Sequence, residues 1–249
     1  MQNMSAIVQA RMGSTRFPGK IMKKIEGKPV LWHVYDRLRH SKKLDSIIIA
    51  TTILKEDDSV EDFCKENNIL FSRGSVEDVL SRYFFTAQKF SCENIVRITS
   101  DCPVIDPEII DSMIEQFFAE NKEKINIDYL SNSLERTFPR GLEAEIFPFK
   151  TLEKTFNEAT ESYEKEHVTP YIYQHPELFK LKNYSSSKNY SNLRWTLDTN
   201  EDFQLMKEIY AILYDGDKIF LFNDILALME KKPGLRNINN NIKQKKLGE

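Results

Sequence analysis

A chain of 249 residues can bury a sizeable core, and its length favours one α/β domain over two smaller ones. A formal net charge of -3, from 35 basic and 38 acidic residues, removes any general electrostatic case for nucleic acid or an anionic membrane as partner. Cys64, Cys92 and Cys102 are scattered without metal-ligand spacing, no apolar run nears the ~20 residues of a membrane span, and no signal peptide is evident, so the expected compartment is the reducing cytoplasm.

Strand and helix patterns alternate from the start. Residues 4–8 read as a short buried strand, 9–20 as a loop and 29–40 as a helix. The β-branched run 47–50 is a second strand, 60–67 a helix, 69–71 a short strand, and 76–90 a helix with Val79, Leu80, Tyr83 and Phe84 as its apolar stripe. Residues 94–98 form another strand, followed by the loop 99–103 and a helix that Pro107 starts and that runs to about Phe118. This order predicts a parallel sheet covered on both faces, with ligands beyond the carboxyl ends of its strands. Three loops fall at that edge: 9–20, 72–78 and 99–103.

The middle changes character. Residues 127–131 read as a strand, and 138–147 as a turn feeding an alternating strand. Residues 151–159 read as a helix, 163–175 as another bent near Pro170, and 178–184 as extended. The core pattern returns with a strand at 193–197 that ends at Asp198, then helices at 200–214 and 222–229. The polar stretch from about 234 to 249, with its asparagine and lysine runs, reads as a loose tail. The expectation is one domain over 1–249 with a small inserted lobe at about 130–185.

The 9–20 loop, Gln-Ala-Arg-Met-Gly-Ser-Thr-Arg-Phe-Pro-Gly-Lys, interleaves Arg11, Arg16 and Lys20 with Gly13, Ser14, Thr15 and Gly19. Small residues let backbone N–H groups approach a polyphosphate while the cations offset its charge. Ala10, Arg11, Met12, Gly13, Ser14 and Lys20 are therefore candidate nucleotide contacts. The loop has neither the Walker spacing nor the dinucleotide fingerprint. Asp101 and Asp198 each follow an apolar run and would sit at the ligand edge, where two carboxylates suit Mg²⁺. The alternative is that an aspartate here caps a helix, work that Asp106 or Thr199 could do nearby. Arg73, with Asp78, would face a nucleotide, or else pair with Glu77 or Asp78 at the surface. Arg140 can hold a carboxylate bidentately, and alternation puts Glu143 and Glu145 on one strand face, which serves sugar hydroxyls or a solvated hairpin equally.

From Ile7 to about Asp202 these motifs resemble the cytidylyltransferases that activate acidic sugars, the CMP-Kdo and CMP-sialic acid synthetases, and most closely the SpsF-like branch named for spore coat polysaccharide biosynthesis. The loop 9–20, Thr-Ser-Asp-Cys-Pro, Trp-Thr-Leu-Asp-Thr-x-Glu-Asp and Arg-Gly-Leu-Glu-Ala-Glu carry the likeness, with Ser100 where the family commonly has glycine. Glu166-His167-Val168-Thr169-Pro170-Tyr171 matches the branch as well and adds His167 to the sugar side, though not as a general base. The resemblance implies a three-layer nucleotide-diphospho-sugar transferase (GT-A-like) fold with a mostly parallel central sheet. It implies CTP and a sugar acid as substrates, a CMP-sugar and pyrophosphate as products, a role in surface polysaccharide synthesis, and a homodimer. Arg11 and Lys20 would act on the leaving pyrophosphate, Asp101 and Asp198 would hold Mg²⁺, Arg73 and Asp78 would face the nucleotide, and Arg140, Glu143 and Glu145 would face the sugar. Two other readings share the fold: a glycosyltransferase consuming a nucleotide-sugar, which pyrophosphate release would separate, and a non-catalytic nucleotide-binding protein.

Overall fold

The chain begins with β1 (Met4–Gln9), then the loop, a short antiparallel pair β2 (Lys24–Ile25) and β3 (Lys28–Pro29), and α1 (Val30–Leu38). The structure, a computed structural model, describes residues 3–122, 126–216 and 218–244. Next come β4 (Ser46–Thr52), α2 (Asp58–Glu66), β5 (Leu70–Gly74), α3 (Val79–Lys89), β6 (Asn94–Thr99) and α4 (Pro107–Lys122). The middle holds β7 (Tyr129–Ser131), β8 (Glu145–Pro148), α5 (Phe149–Glu158), α6 (Ser162–His167), α7 (Pro170–Gln174) and β9 (Leu181–Asn183). Two helices follow, α8 (Asn200–Leu213) and α9 (Phe222–Lys231).

Seven strands form one sheet in the order β5-β4-β1-β6-β8-β7-β9. Every pairing is parallel except the two that β8 makes, so β8 alone runs against the rest. The faces alternate as strand geometry requires. Ala6 and Val8 enter the core under α1, α4, α8 and α9, whereas Ile7 enters the one under α3, α5 and α7. Burial on both faces is why the parallel strands read as continuous apolar runs. β7, β8 and β9 extend this same sheet.

Three expectations need correction. Residues 193–197 do not form a strand. Leu193, Trp195 and Leu197 are buried, but the backbone divides its hydrogen bonds between two neighbours. Trp195 N donates to Arg140 O at 2.6 Å, and Leu197 N donates to Asp101 O at 2.8 Å, leaving only a single bridge between Arg140 and Arg194. Gly141 permits this crossing: its φ is +102°, and a Cβ there would lie 2.4 Å from the Trp195 carbonyl carbon. The bent helix at 163–175 is two helices, α6 and α7, broken at Val168, where φ is +72°. Pro170 occupies the first turn of α7, where its missing N–H is not needed. The tail is not loose over its described part. Pro233–Asn237 form a 3-10 turn, and Asn239 is 5% exposed with its amide on Arg194 O and Asp202 Oδ1. Residues 245–249 lie outside the described residues.

Candidate active site

The loop after β1 is shaped by its own backbone. Met12 O accepts from Ser14 N at 2.8 Å and from Gly19 N at 3.0 Å, with Gly19 left-handed at φ 67°. Met12 N donates to Asp57 Oδ1 at 2.6 Å, and Thr52 Oγ1 donates to the other Asp57 oxygen. Asp57, fully buried, thus anchors the fold of the loop to the end of β4. The loop delivers Lys20 to a 3-10 turn, Lys20–Met22, only 9% exposed.

There Lys20 Nζ lies 2.8 Å from Asp101 Oδ2 and 2.7 Å from Asp198 Oδ1. The two acidic segments are joined directly, because Leu197 N and Thr196 Oγ1 both donate to Asp101 O. Arg16 Nη2 pairs with Asp198 Oδ2 at 2.9 Å, and Arg194 Nη2 approaches the same oxygen at 3.2 Å. Thr99 Oγ1 donates to Asp101 Oδ1 at 2.6 Å. Burial alone would push the Asp101 carboxyl up, but the Lys20 ammonium and its hydrogen bond hold it at about 2. Burial likewise works against the Lys20 charge, and the two carboxylates outweigh it and raise its pKa. Helix capping is done by other residues. Thr199 caps α8 together with Asp202, and Asp106 accepts from Glu108 N and Ile109 N at the start of α4. Asp101 and Asp198 are therefore left to the ion-pair cluster around Lys20, at the edge of an open space.

That space consists of two adjoining cavities, of about 730 and about 850 Å³. Asp101, Asp198, Thr99, Arg97, His167 and Gln244 line both, so the carboxylate pair stands at their junction. The first cavity is cationic, with Arg11, Arg16, Lys20 and Arg82 on its wall beside Ala10, Gly13 and Ser14. The nearest side-chain atom to Gly13 is the exposed Glu56 Oε1, which a Cβ at Gly13 would meet at 2.9 Å. Ser100 also lines this cavity, its N–H committed to Gln9 O at 3.1 Å. The second cavity gathers Arg140, Glu143, Glu145 and His167. Glu145 is buried and accepts from Arg97 Nη1 at 2.5 Å, Tyr129 at 2.8 Å and Thr169 at 2.9 Å. Glu143 precedes β8 instead of sharing its face with Glu145, and accepts from Arg136 Nη1 and Gly141 N. Arg140 has no side-chain partner among the described residues, and burial lowers its pKa. Burial also lowers the pKa of His167, which favours the neutral imidazole.

Three sequence candidates stand elsewhere. Arg73 lines neither cavity. Its guanidinium is consumed by Asp58 Oδ1, Glu61 Oε2, Thr52 O and Leu54 O, which tie α2 to the end of β4. Asp78 caps α3 by accepting from Ser81 N at 2.7 Å. Met12 serves the loop's own hydrogen bonds and packs its side chain against the core. Sequence reasoning passed over Arg82, Arg97, Arg194 and Gln244. The available signal was an arginine inside an apolar run, Ile95-Val96-Arg97-Ile98 and the stripe of α3. Arg82 and Arg97 each keep a buried Nε with no protein partner among the described residues. Among those residues no three His, Cys, Asp or Glu side chains gather that could hold a metal ion alone, so a cation between Asp101 and Asp198 would need ligand oxygens as well. No described helix is long and apolar enough to cross a membrane.

A cytidylyltransferase family model matches residues 5–239. The chain is 39% identical over 248 residues to an uncharacterised protein of Methanocaldococcus jannaschii, covering 98% of this chain and 97% of that one. It is 32% identical over 240 residues to the spore coat polysaccharide biosynthesis protein SpsF of Bacillus subtilis, covering 94% and 96%. A solved cytidylyltransferase from Leptospira borgpetersenii serovar Hardjo-bovis superposes with a TM-score of 0.90 at 33% identity, over 99% of this chain and all of the other. A match that runs almost from end to end, on a fold whose acidic pair joins two cavities, places this chain in the cytidylyltransferase family that makes CMP-sugars, on its SpsF-like branch.

Proposed function

We propose that the chain transfers the cytidylyl group of CTP to the anomeric hydroxyl of an acidic sugar, releasing pyrophosphate, in the synthesis of a surface polysaccharide. The observation that carries this reading is the position of Asp101 and Asp198 between two cavities of unlike chemistry. The first, with five cations, Arg97 among them, beside small loop residues, suits a triphosphate. The second, with polar groups and the unpartnered Arg140 guanidinium, suits a sugar carboxylate among hydroxyls. The sugar oxygen attacks the α-phosphorus, the bond from that phosphorus to the bridging oxygen breaks in line so that pyrophosphate leaves with its electron pair, and the hydroxyl proton passes to solvent.

Arg11 and Lys20 offset the charge that grows on the departing pyrophosphate, which is the larger part of catalysis in phosphoryl chemistry. Asp101 and Asp198, both hard oxygen donors that here converge on Lys20 Nζ at 2.7–2.8 Å, would hold Mg²⁺ once the ammonium turns from them to the phosphates. When bound, it would neutralise phosphate charge, with phosphate and water oxygens completing its shell. A homodimer completes the reading, and light scattering tests it.

The decisive experiment is a pyrophosphate-release panel of four nucleoside triphosphates against several sugar acids, with Mg²⁺ present or chelated. Release with CTP and one sugar acid, matched by CMP-sugar formation and lost on chelation, is the expected result. Equal release with every nucleotide removes the cytidine assignment. Transfer from a nucleotide-sugar without pyrophosphate makes the chain a glycosyltransferase.

A further inference from the structure

The C-terminal segment is fastened to Arg194 and Asp202, beside the acidic pair. After α9 and its 3-10 turn, Asn239 donates its amide to Arg194 O at 3.0 Å and to Asp202 Oδ1 at 2.8 Å. Ile242 N then bonds back to Asn239 O at 3.1 Å, and the chain arrives at Gln244. Gln244 Oε1 accepts from Arg194 Nη1 at 2.6 Å. The remaining edge of that guanidinium is committed to Asp202, through Nε at 2.9 Å and Nη2 at 2.8 Å, with Nη2 also on Asp198. One arginine therefore braces a site carboxylate on one side and holds Gln244 on the other.

We propose that Gln244 is a specificity-determining residue of the sugar side, delivered to the junction of the two cavities by a C-terminal arm that Asn239 pins to Arg194 and Asp202. With its oxygen fixed on Arg194, the amide N–H₂ of Gln244 has no partner among the described residues and is available to a ligand. An amide donates to a hydroxyl or carboxylate oxygen without adding charge. Its neighbour decides which substrate it reads. Gln244 and Arg140 line the second cavity together and also meet in the smaller hollow behind Arg194, whereas Arg140 does not reach the triphosphate cavity. The ligand is a polyhydroxylated sugar acid, and that identity rests on the two-substrate reading above.

The test uses the full-length chain, CTP, and the sugar acid that the wild type turns over in the release panel. Loss of one neutral hydrogen bond predicts that Gln244→Ala raises the KM for the sugar about 3- to 10-fold. The KM for CTP should stay within about twofold, and the melting temperature should fall by no more than a few degrees, since the exposed Gln244 gives up its bond to Arg194. Gln244→Glu loses the donors and sets a carboxylate against an acidic substrate, so its sugar KM should rise further, while Gln244→Asn should recover part of the loss. An unchanged sugar KM in Gln244→Ala overturns the inference, as does an equal rise in both KM values or a lower melting temperature with normal kinetics. A wild-type chain that releases no pyrophosphate with any sugar sinks the two-substrate reading and this inference with it. An active wild type beside an unaffected Gln244→Ala sinks the inference alone.

Discussion

Replacing Lys20 with methionine keeps most of the stem's volume and deletes the charge between Asp101 and Asp198. The ammonium makes charge-assisted bonds of 2.8 and 2.7 Å, with 11% of the side chain exposed and the two carboxylates 23% and 14% exposed. Such bonds are worth about 1.5–3 kcal/mol each, and water reaching the partly exposed carboxylates recovers part of that. A net loss of about 2–3 kcal/mol is expected, or roughly 5–10 °C in melting temperature at this chain length. The wild-type advantage has a definite pH window. The Asp101 carboxyl sits at about 2 against an ordinary 3.8, so its contribution is complete above about pH 4 and fades as pH falls through about 2. Lys20 is raised above its ordinary 10.5, so its contribution is complete below that value and fades as pH rises beyond it. Turnover should fall about 100- to 1,000-fold, because a donor for the developing pyrophosphate charge is gone. Lys20→Arg should restore only part of it, since a planar guanidinium cannot place its charge where a compact ammonium does. Calorimetric melts from pH 2 to 8 and steady-state pyrophosphate release measure the two effects. A Lys20→Met chain with wild-type melting and wild-type turnover would refute the reasoning.

Asp101→Asn and Asp198→Asn should each abolish turnover with the circular dichroism spectrum unchanged, and Mg²⁺-dependent release near the wild-type rate would remove either residue from the assignment. Arg73→Ala should lower the urea midpoint slightly, as expected for an exposed ion-pair set, and leave CTP affinity within about twofold by calorimetry. Gly141→Ala should be among the most destabilising single changes, costing about 3 kcal/mol or more, because a Cβ would lie 2.4 Å from the Trp195 backbone at a φ of +102°. A thermal melt within 2–3 °C of wild type would contradict that estimate for Gly141.

The parallel half of the sheet was legible because its strands are short β-branched runs buried on both faces, and the ligand edge followed from topology alone. Residues 193–197 were misread for a physical reason: apolar alternation looks the same whether an extended segment bonds to one neighbour or to two. Arg73 was misplaced because its true partners, Asp58 and Glu61, come from α2, and no local pattern shows where that helix lands. Arg82 and Arg97 are visible only once the cavity exists, since each is a lone charge in an apolar run. The tail looked solvated because asparagine is a loop residue by composition, yet Asn239 buries its amide against the Arg194 backbone.

Lys20 and Asp198 are separated by 178 positions along the chain, and Asp101, the third member of their cluster, belongs to the middle. A ribosome must therefore finish most of the polypeptide before the cluster is complete, although Lys20 and Asp101 can meet earlier. Contacts of such long sequence separation also form late in refolding, because loop closure must come first. Activity is then a reporter of completed folding: it should return after the helical signal, and a chain cut between α4 and β7 should regain it only when both pieces reassociate.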